Sequence, residues 1–238
     1  MKKFLLVAAV AGCWIPAAVQ ALDSGDLVFP SDFTDRVRWE ARYENLRRDI
    51  QITSESPRAD SAVNADVFAL RLQSGFVPNV RLDFEVGGLD TGTGSYTPMF
   101  GAGLRYLAFD HGPWRAGAFA QAFYLPKVED RQFLYGTGDA RVEHDWMEAN
   151  AGALLSYRFR LADQFALVPY AGPVISLARL SGEVQDTVRA GDDYRAKENQ
   201  FFGAALGLNL EAQGVNGLRA ELRLFDDVSL SVAAAFVF

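Results

Sequence analysis

The densest group of reactive side chains is Glu143-His144-Asp145-Trp146-Met147-Glu148, in which carboxylates flank an imidazole. Paired carboxylates can hold and deprotonate a water molecule, and an imidazole can relay the proton, so the stretch has the ingredients of general acid–base hydrolysis. The other histidine, His111, falls in the tight turn Asp110-His111-Gly112-Pro113 and reads as a solvated turn residue. No serine pairs convincingly with a histidine, no glycine-rich phosphate loop opens a helix, and no cluster has metal-ligand spacing. Asp186, Asp192, Asp193 and Glu198 gather in one connection but lack a regular calcium-binding pattern. Charged surface loops are the simpler account of both groups, and the chain reads as non-enzymatic, without cofactor or metal.

Whatever positions these groups begins with an export signal. Met1-Lys2-Lys3 is cationic, Phe4 to Val19 is apolar, and Val19-Gln20-Ala21 is a small-residue cleavage site, so residues 1–21 read as a signal peptide and 22–238 as the mature domain. Val10-Ala11-Gly12-Cys13 resembles a lipobox, and cleavage there would instead leave lipid on Cys13. The reading with cleavage after Ala21 removes Cys13, the chain's one cysteine, so disulfides do not hold the mature protein together. The formal charge of -7 becomes -9 when Lys2 and Lys3 leave with the signal. An acidic chain without a basic patch does not suit nucleic acid. No mature segment reaches the roughly 18 consecutive apolar residues of a transmembrane helix, so a membrane could be crossed only by strands.

Strands are what the pattern supports. In Asn79 to Gly88, Val80, Leu82, Phe84 and Val86 fall on one face, with Arg81, Asp83 and Glu85 on the other. Leu218, Ala220, Leu222 and Leu224 oppose Arg219, Glu221 and Arg223 in the same way. From Met147 to Leu161 an apolar row alternates with Glu148, Asn150, Ser156, Arg158 and Arg160, a run longer than the usual 5 or 6 residues of a soluble strand. Ten such segments are expected, near 36–50, 63–76, 80–90, 99–109, 114–125, 146–161, 165–180, 200–213, 217–225 and 228–238. The seventh contains Pro169 and Pro173, which favour an edge or a bulge. Connections alternate between tight turns and longer polar loops at 51–62, 90–98, 126–145 and 181–199, as expected for short periplasmic turns and long outer loops. The connection at Asp226-Asp227 is short where the rule expects a long one. Phe76, Trp114, Tyr157, Phe159, Phe165 and Phe238 collect toward the turn side, which suits an interfacial girdle.

The signal peptide, the amphipathic strands and the ending Ser231-Val232-Ala233-Ala234-Ala235-Phe236-Val237-Phe238 together resemble bacterial outer-membrane β-barrel proteins of the small-barrel class. That resemblance implies an all-β, closed antiparallel transmembrane β-barrel of about ten strands, with eight as the fallback, in the outer membrane. It also implies that Ser231, Phe236 and Phe238 form the signal read by the barrel assembly machinery. Locally, Glu143 to Glu148 resembles the region of omptins, ten-stranded outer-membrane proteases, that carries their paired aspartates. The first acid here is Glu143, and the connection from Ser181 to Asn199 has no histidine to complete that family's site.

In such a barrel the apolar rows face lipid and the charged rows face inward. Arg38, Glu40, Arg42, Arg81, Asp83, Glu85, Arg105, Glu148, Arg158, Arg219, Glu221 and Arg223 would then share the lumen. Opposite charges inside a narrow barrel should pair across the axis, because an unpaired buried charge costs several kcal/mol. A lumen filled by ion pairs is therefore favoured over a narrow wet pore, and Gly117, Gly203 and Gly207 on lumen positions would relieve crowding. A soluble barrel with the charges outside is the remaining alternative. The expected role is an envelope protein, monomeric, contacting outer-membrane lipid, lipopolysaccharide or other surfaces through acidic loops; a passive small-solute pore and an omptin-like protease are the alternatives.

Overall fold

The structure, a computed structural model, describes residues 25–26, 37–54, 58–77, 79–134, 138–185, 190–212, 216–225 and 228–237. The signal peptide, Cys13 and Phe238 lie outside these residues, as does Asp186. Among the described residues there are twelve antiparallel strands: β1 Val37–Ile52, β2 Ala59–Val77, β3 Val80–Asp90, β4 Tyr96–His111, β5 Trp114–Leu134, β6 Gly138–Tyr157, β7 Phe159–Ala162, β8 Phe165–Val184, β9 Asp193–Glu198, β10 Phe202–Ala212, β11 Asn216–Leu224 and β12 Val228–Val237.

Ten of them close a ring. Each wall strand pairs with its neighbours from β10 through β11, β12 and β1 to β6 and β8, and β8 returns to β10 with Phe165 opposite Ala212 and Ile175 opposite Phe202. Closure leaves the wall without a free sheet edge, which is the condition for strands to cross a bilayer. Of the two extra strands, one subdivides an expected strand and the other forms within the expected loop 181–199. β7 continues β6 beyond Arg158, and β9 lies above β10.

Side-chain alternation explains why this chain closes around its charges. On β1, Trp39, Ala41 and Tyr43 are exposed while Arg38, Glu40, Arg42 and Glu44 are buried. Phe84, Val86, Phe100, Leu104, Leu155, Ile175, Leu177, Leu206, Leu218 and Val232 continue the exposed apolar belt around the outside. A surface of that extent on a soluble protein would aggregate; in lipid it is solvated. Trp114 packs edge-on against Tyr157 at 4.7 Å, and Tyr157 against Phe159 at 4.5 Å, forming part of the girdle at the turn end.

The outer connections differ most from expectation. Segments 51–62, 126–145 and 181–199 are not mainly loop: β1, β2, β5, β6, β8 and β9 run on through most of them. The reason is an inversion of polarity. On β6, Glu148 and Asn150 face inward below Trp146, whereas Ala140, Val142, His144 and Trp146 face inward above, and Arg141, Glu143 and Asp145 turn outward. Beyond the belt the outside is water, so the apolar row moves inside. On β5 the register slips between Leu125 and Val128 around Pro126-Lys127, with Lys127 at φ 54°, and the inward row changes parity there. Leu46, Ile50, Ile52, Val63, Leu89, Met99, Leu125, Val128, Leu134, Val142, Trp146, Leu180 and Val184 form the resulting core of an outer turret.

β9 seals the turret by pairing with β8 on one side and with β1 at Ile50 to Ile52 on the other. It replaces the wall that the shorter β10, β11 and β12 do not raise. The hairpin between β3 and β4 covers the exposed edge of β5: Thr91 Oγ1 donates to the Glu129 carbonyl, and Thr97 Oγ1 donates to the Lys127 carbonyl at 3.3 Å.

The prolines of β8 occupy mid-ladder positions, since a closed ring offers no edge. Pro169 stands opposite Leu208 and Pro173 opposite Ala204. The β6–β8 pairing lapses between Gly152–Val174 and Leu155–Ala171, next to Pro173, whose nitrogen has no proton to donate. Gly172 lies in the lapse, where a Cβ would come within 1.8 Å of the Ala153 carbonyl oxygen.

Candidate functional site: the charged lumen

Period-two strands place every second residue inside, so a run such as Arg38, Glu40, Arg42, Glu44 becomes a column of charges on one strand and meets similar columns on its neighbours. Glu85 on β3 accepts from Arg42 on β1, and its other oxygen accepts from Arg71 Nε on β2 at 2.7 Å. Arg71 reaches Glu40 on β1 at 3.1 Å, and Glu40 also accepts from Arg219 Nη2 on β11 at 2.8 Å. Arg219 and Arg223 both meet Glu221, at 3.4 and 2.9 Å, while Arg42 extends the other end to Glu44. On β3 and β4, Asp83 accepts from Arg81 at 2.9 Å and from Arg105 at 2.6 Å.

These pairs run along the wall from β11 through β1 and β2 to β4, while pairing across the axis, as expected from sequence, is made by Glu148 of β6 with Arg48 of β1. The opposite wall is largely apolar there, with Leu107, Phe119, Leu154, Tyr170, Val174 and Ala205 packed together. It meets the charges through ring edges and faces. The Tyr170 hydroxyl donates to Glu221 at 2.6 Å, and the Arg105 guanidinium lies 5.3 Å from the centre of the Phe119 ring. Gly207 permits this, because a Cβ there would fall 1.9 Å from the Tyr170 ring.

Arg38, Glu40, Arg42, Arg81, Asp83, Glu85, Arg105, Arg219, Glu221 and Arg223 are thus brought together and buried. Two expected members stand apart. Glu148 lies higher, 2.8 Å from Arg48, which also reaches Glu198 of β9 at 2.6 Å and Ser176 at 2.8 Å. Arg158 is at the turn end, half-buried, paired with Glu211 at 3.0 Å. The reason for the separation is height along the chain: both residues have the right parity, but Glu148 lies next to the turret core at Trp146, and Arg158 lies just past the turn end of β6.

Sequence reasoning missed Arg71, Arg48 and Asp26. Arg71 had a signal, since Leu70-Arg71-Leu72-Gln73 alternates as clearly as any segment. Asp26 had none. It lies outside every described strand, with its carboxylate fully buried between Arg38 at 2.8 Å and Arg81 at 3.2 Å.

The turret places the Glu143 to Glu148 stretch on two opposite surfaces. Glu143 and Asp145 point outward; Asp145 accepts from the Tyr124 hydroxyl and the Lys127 amide, both at 3.0 Å. His144 points inward and stacks 5.4 Å from the Tyr194 ring. A strand cannot present neighbouring residues to one substrate face, so the imidazole and these carboxylates do not share a site. In the connection considered for calcium, Asp193 pairs with Arg195 at 2.9 Å and Glu198 with Arg48.

Burial pushes the His144 imidazole down to about 4, with Asp145 opposing, and pushes Asp130 and Glu198 up to about 6 and 7. For Glu198, Arg48 opposes the rise and Glu148 adds to it. A histidine whose pKa is lowered on folding contributes fully above its unfolded value near 6.5, and that contribution fades as pH falls toward 4. Buried acids with raised values act in the opposite direction, losing stability as pH rises. Comparison with His144→Gln separates the two, since the acids titrate in both proteins. The stability difference, wild type minus variant, should fall by about 2 kcal/mol between pH 7.5 and pH 5, measured by denaturant unfolding.

On β12, Ser231 is buried and faces the lumen opposite Glu44 and Glu221, whereas Phe236 is exposed on the belt opposite Trp39. Phe238 lies outside the described residues.

No protein-family model matches the chain, and no curated protein sequence matches it. Solved structures do. The outer membrane protease OmpT from Escherichia coli is similar at a TM-score of 0.51 and 11% identity, over 91% of this chain and 100% of that one. The β domain of the Bordetella autotransporter BrkA is similar at 0.39 and 11% identity, over 86% and 100% of the two chains. The N-terminal β-barrel domain of Pseudomonas aeruginosa OprF is similar at 0.33 and 13% identity, over 85% and 98%. The OmpT likeness concerns the fold alone. With its closed ring and apolar belt, this chain has the fold of bacterial outer-membrane β-barrels.

Proposed function

We propose that the protein is a non-enzymatic envelope barrel whose lumen is closed by ion-paired side chains and whose outer turret makes the contacts that matter to the cell. The observation that carries this reading is the unbroken run of pairs from Glu44 through Arg42, Glu85, Arg71, Glu40, Arg219 and Glu221 to Arg223. Charges so arranged largely neutralise one another, and a core rich in apolar side chains stands above them in the turret. The turret's outward residues, among them Asp49, Glu129, Arg141, Glu143 and Asp145, are charged and suit contact with polar surfaces such as lipopolysaccharide headgroups or protein partners. The separation of His144 from Glu143 and Asp145 supports the non-enzymatic side of the reading. A monomer is the expected state, folded by the barrel assembly machinery.

Conductance across a planar bilayer tests it. The protein should give no steady channels, and variants at Arg81 or Glu85 should give at most irregular leakage. Well-defined channels in the wild type that survive either substitution would establish the passive pore instead.

A further inference from the structure

We propose that the lumen contains a carboxylate-binding socket, formed by Arg38, Arg81 and Asn209, which Asp26 occupies in cis and which accepts small carboxylate solutes when Asp26 is removed. The proposal rests on the closed-lumen reading and adds a ligand class to it.

Asp26 behaves geometrically as a ligand of the wall. Arg38 holds its carboxylate with both terminal nitrogens, Nη2 to Oδ2 at 2.8 Å and Nη1 to Oδ1 at 3.2 Å. This is the two-point fork that makes arginine selective for planar anions. From β3, Arg81 Nη1 reaches Oδ1 at 3.2 Å and Nη2 reaches the Asp26 carbonyl at 3.3 Å. From the opposite wall, Asn209 Nδ2 approaches Oδ2 at 3.5 Å. Donors from β1, β3 and β10 therefore converge on one carboxylate that belongs to none of those strands.

The socket is aimed by wall partners as well as by its occupant. Arg38 Nη1 also donates to Gln73 at 2.6 Å, and Arg81 Nε donates to Asp83 at 2.9 Å. Donors oriented in this way bind an anion without first being ordered, which lowers the entropic cost of binding. The preceding residue fits the same picture. Gly25, at φ +76°, lies so close to the guanidiniums that a Cβ would stand 2.5 Å from Arg71 Nη1 and 2.6 Å from Arg105 Nη2. At the turn end a small cleft lined by Pro113, Arg115, Arg158, Asn209 and Glu211 also includes Asp26. The turret core closes the other side, so the site is a pocket and not a conduit.

Chemical rescue tests the socket. In Asp26→Gly the carboxylate is deleted and its space left open, so the denaturation midpoint, read as the gel-mobility change of the folded barrel in detergent, should drop. Acetate or formate should restore it saturably, should leave wild type unshifted, and should outperform chloride at equal ionic strength. If the variant folds only with acetate present, the socket is equally supported. Asp26→Asn fills the space and should be destabilised without rescue. Equal recovery in chloride, no recovery in either carboxylate, or an Asp26→Asn variant as stable as wild type would each overturn the proposal. Steady channels from the wild type would overturn the closed-lumen reading and leave the rescue result to stand separately.

Discussion

Glu40→Gln is expected to cost about 3–5 kcal/mol of unfolding free energy, the range for breaking a buried charge pair from one side. Glu40 is fully buried, accepts from Arg219 at 2.8 Å and Arg71 at 3.1 Å, and has Arg38 at 4.0 Å from its second oxygen. Glutamine keeps the volume and one acceptor, so the measured loss isolates the charge. The three guanidiniums would then depend on Asp26, Glu85 and Glu221, each already shared with another arginine. Asp49→Asn is the reference substitution: Asp49 lies 3.8 Å from Arg47 on the turret surface, with both side chains substantially exposed, and its loss should cost under about 1 kcal/mol. Urea unfolding from lipid vesicles reads both. Equal costs would mean that water reaches the lumen network and screens it.

The contrast between these two carboxylates shows what the sequence made legible. Glu40 lies in a run where apolar and charged residues alternate without error, and the environments on the two sides of the sheet differ as much as lipid and ion pairs can. Period two was therefore easy to see, and the ring of ten strands and its belt follow from it. Asp49 belongs to the turret, where water replaces lipid and the apolar row lies inside. From Pro126 to Asp145 the inward set includes Asp130, Gln132 and His144 with the aliphatics, and the slip at Lys127 changes parity at the start of the stretch. Such a stretch reads as a polar loop until its partners are known. β9 was hidden for another reason: six residues inside a charged connection become a strand only because β8 and β1 leave a gap that fits them. Asp26 lies beyond any periodic argument, since its position depends on arginines that converge in space from β1 and β3.

Trp146 and Met147 make the inversion measurable at one peptide bond. Trp146 is completely buried in the turret core, and Met147 is 59% exposed on the belt. Trp146→Ala should cost about 3–5 kcal/mol, because the turret core would have to collapse around a side-chain-sized cavity. Met147→Ala removes a comparable length of apolar chain, but lipid tails refill the contact, and the cost should stay below about 1.5 kcal/mol. Trp146→Phe distinguishes packing from polarity: among the described residues no acceptor is bonded to the indole nitrogen, so losing its N–H should add little to the loss of volume. Hydrogen exchange at the amides of Leu125 and Leu180, which stand opposite Trp146, should accelerate strongly in Trp146→Ala and hardly at all in Met147→Ala. Heat-dependent gel mobility should report a closed membrane ring in both. Exchange that spreads equally to the β3 and β11 amides in Trp146→Ala would show turret and ring to be one cooperative unit. Exchange confined to the turret would show that the outer half is held by a water-facing core and the membrane half by lipid and its ion pairs, two folding problems solved on the same strands.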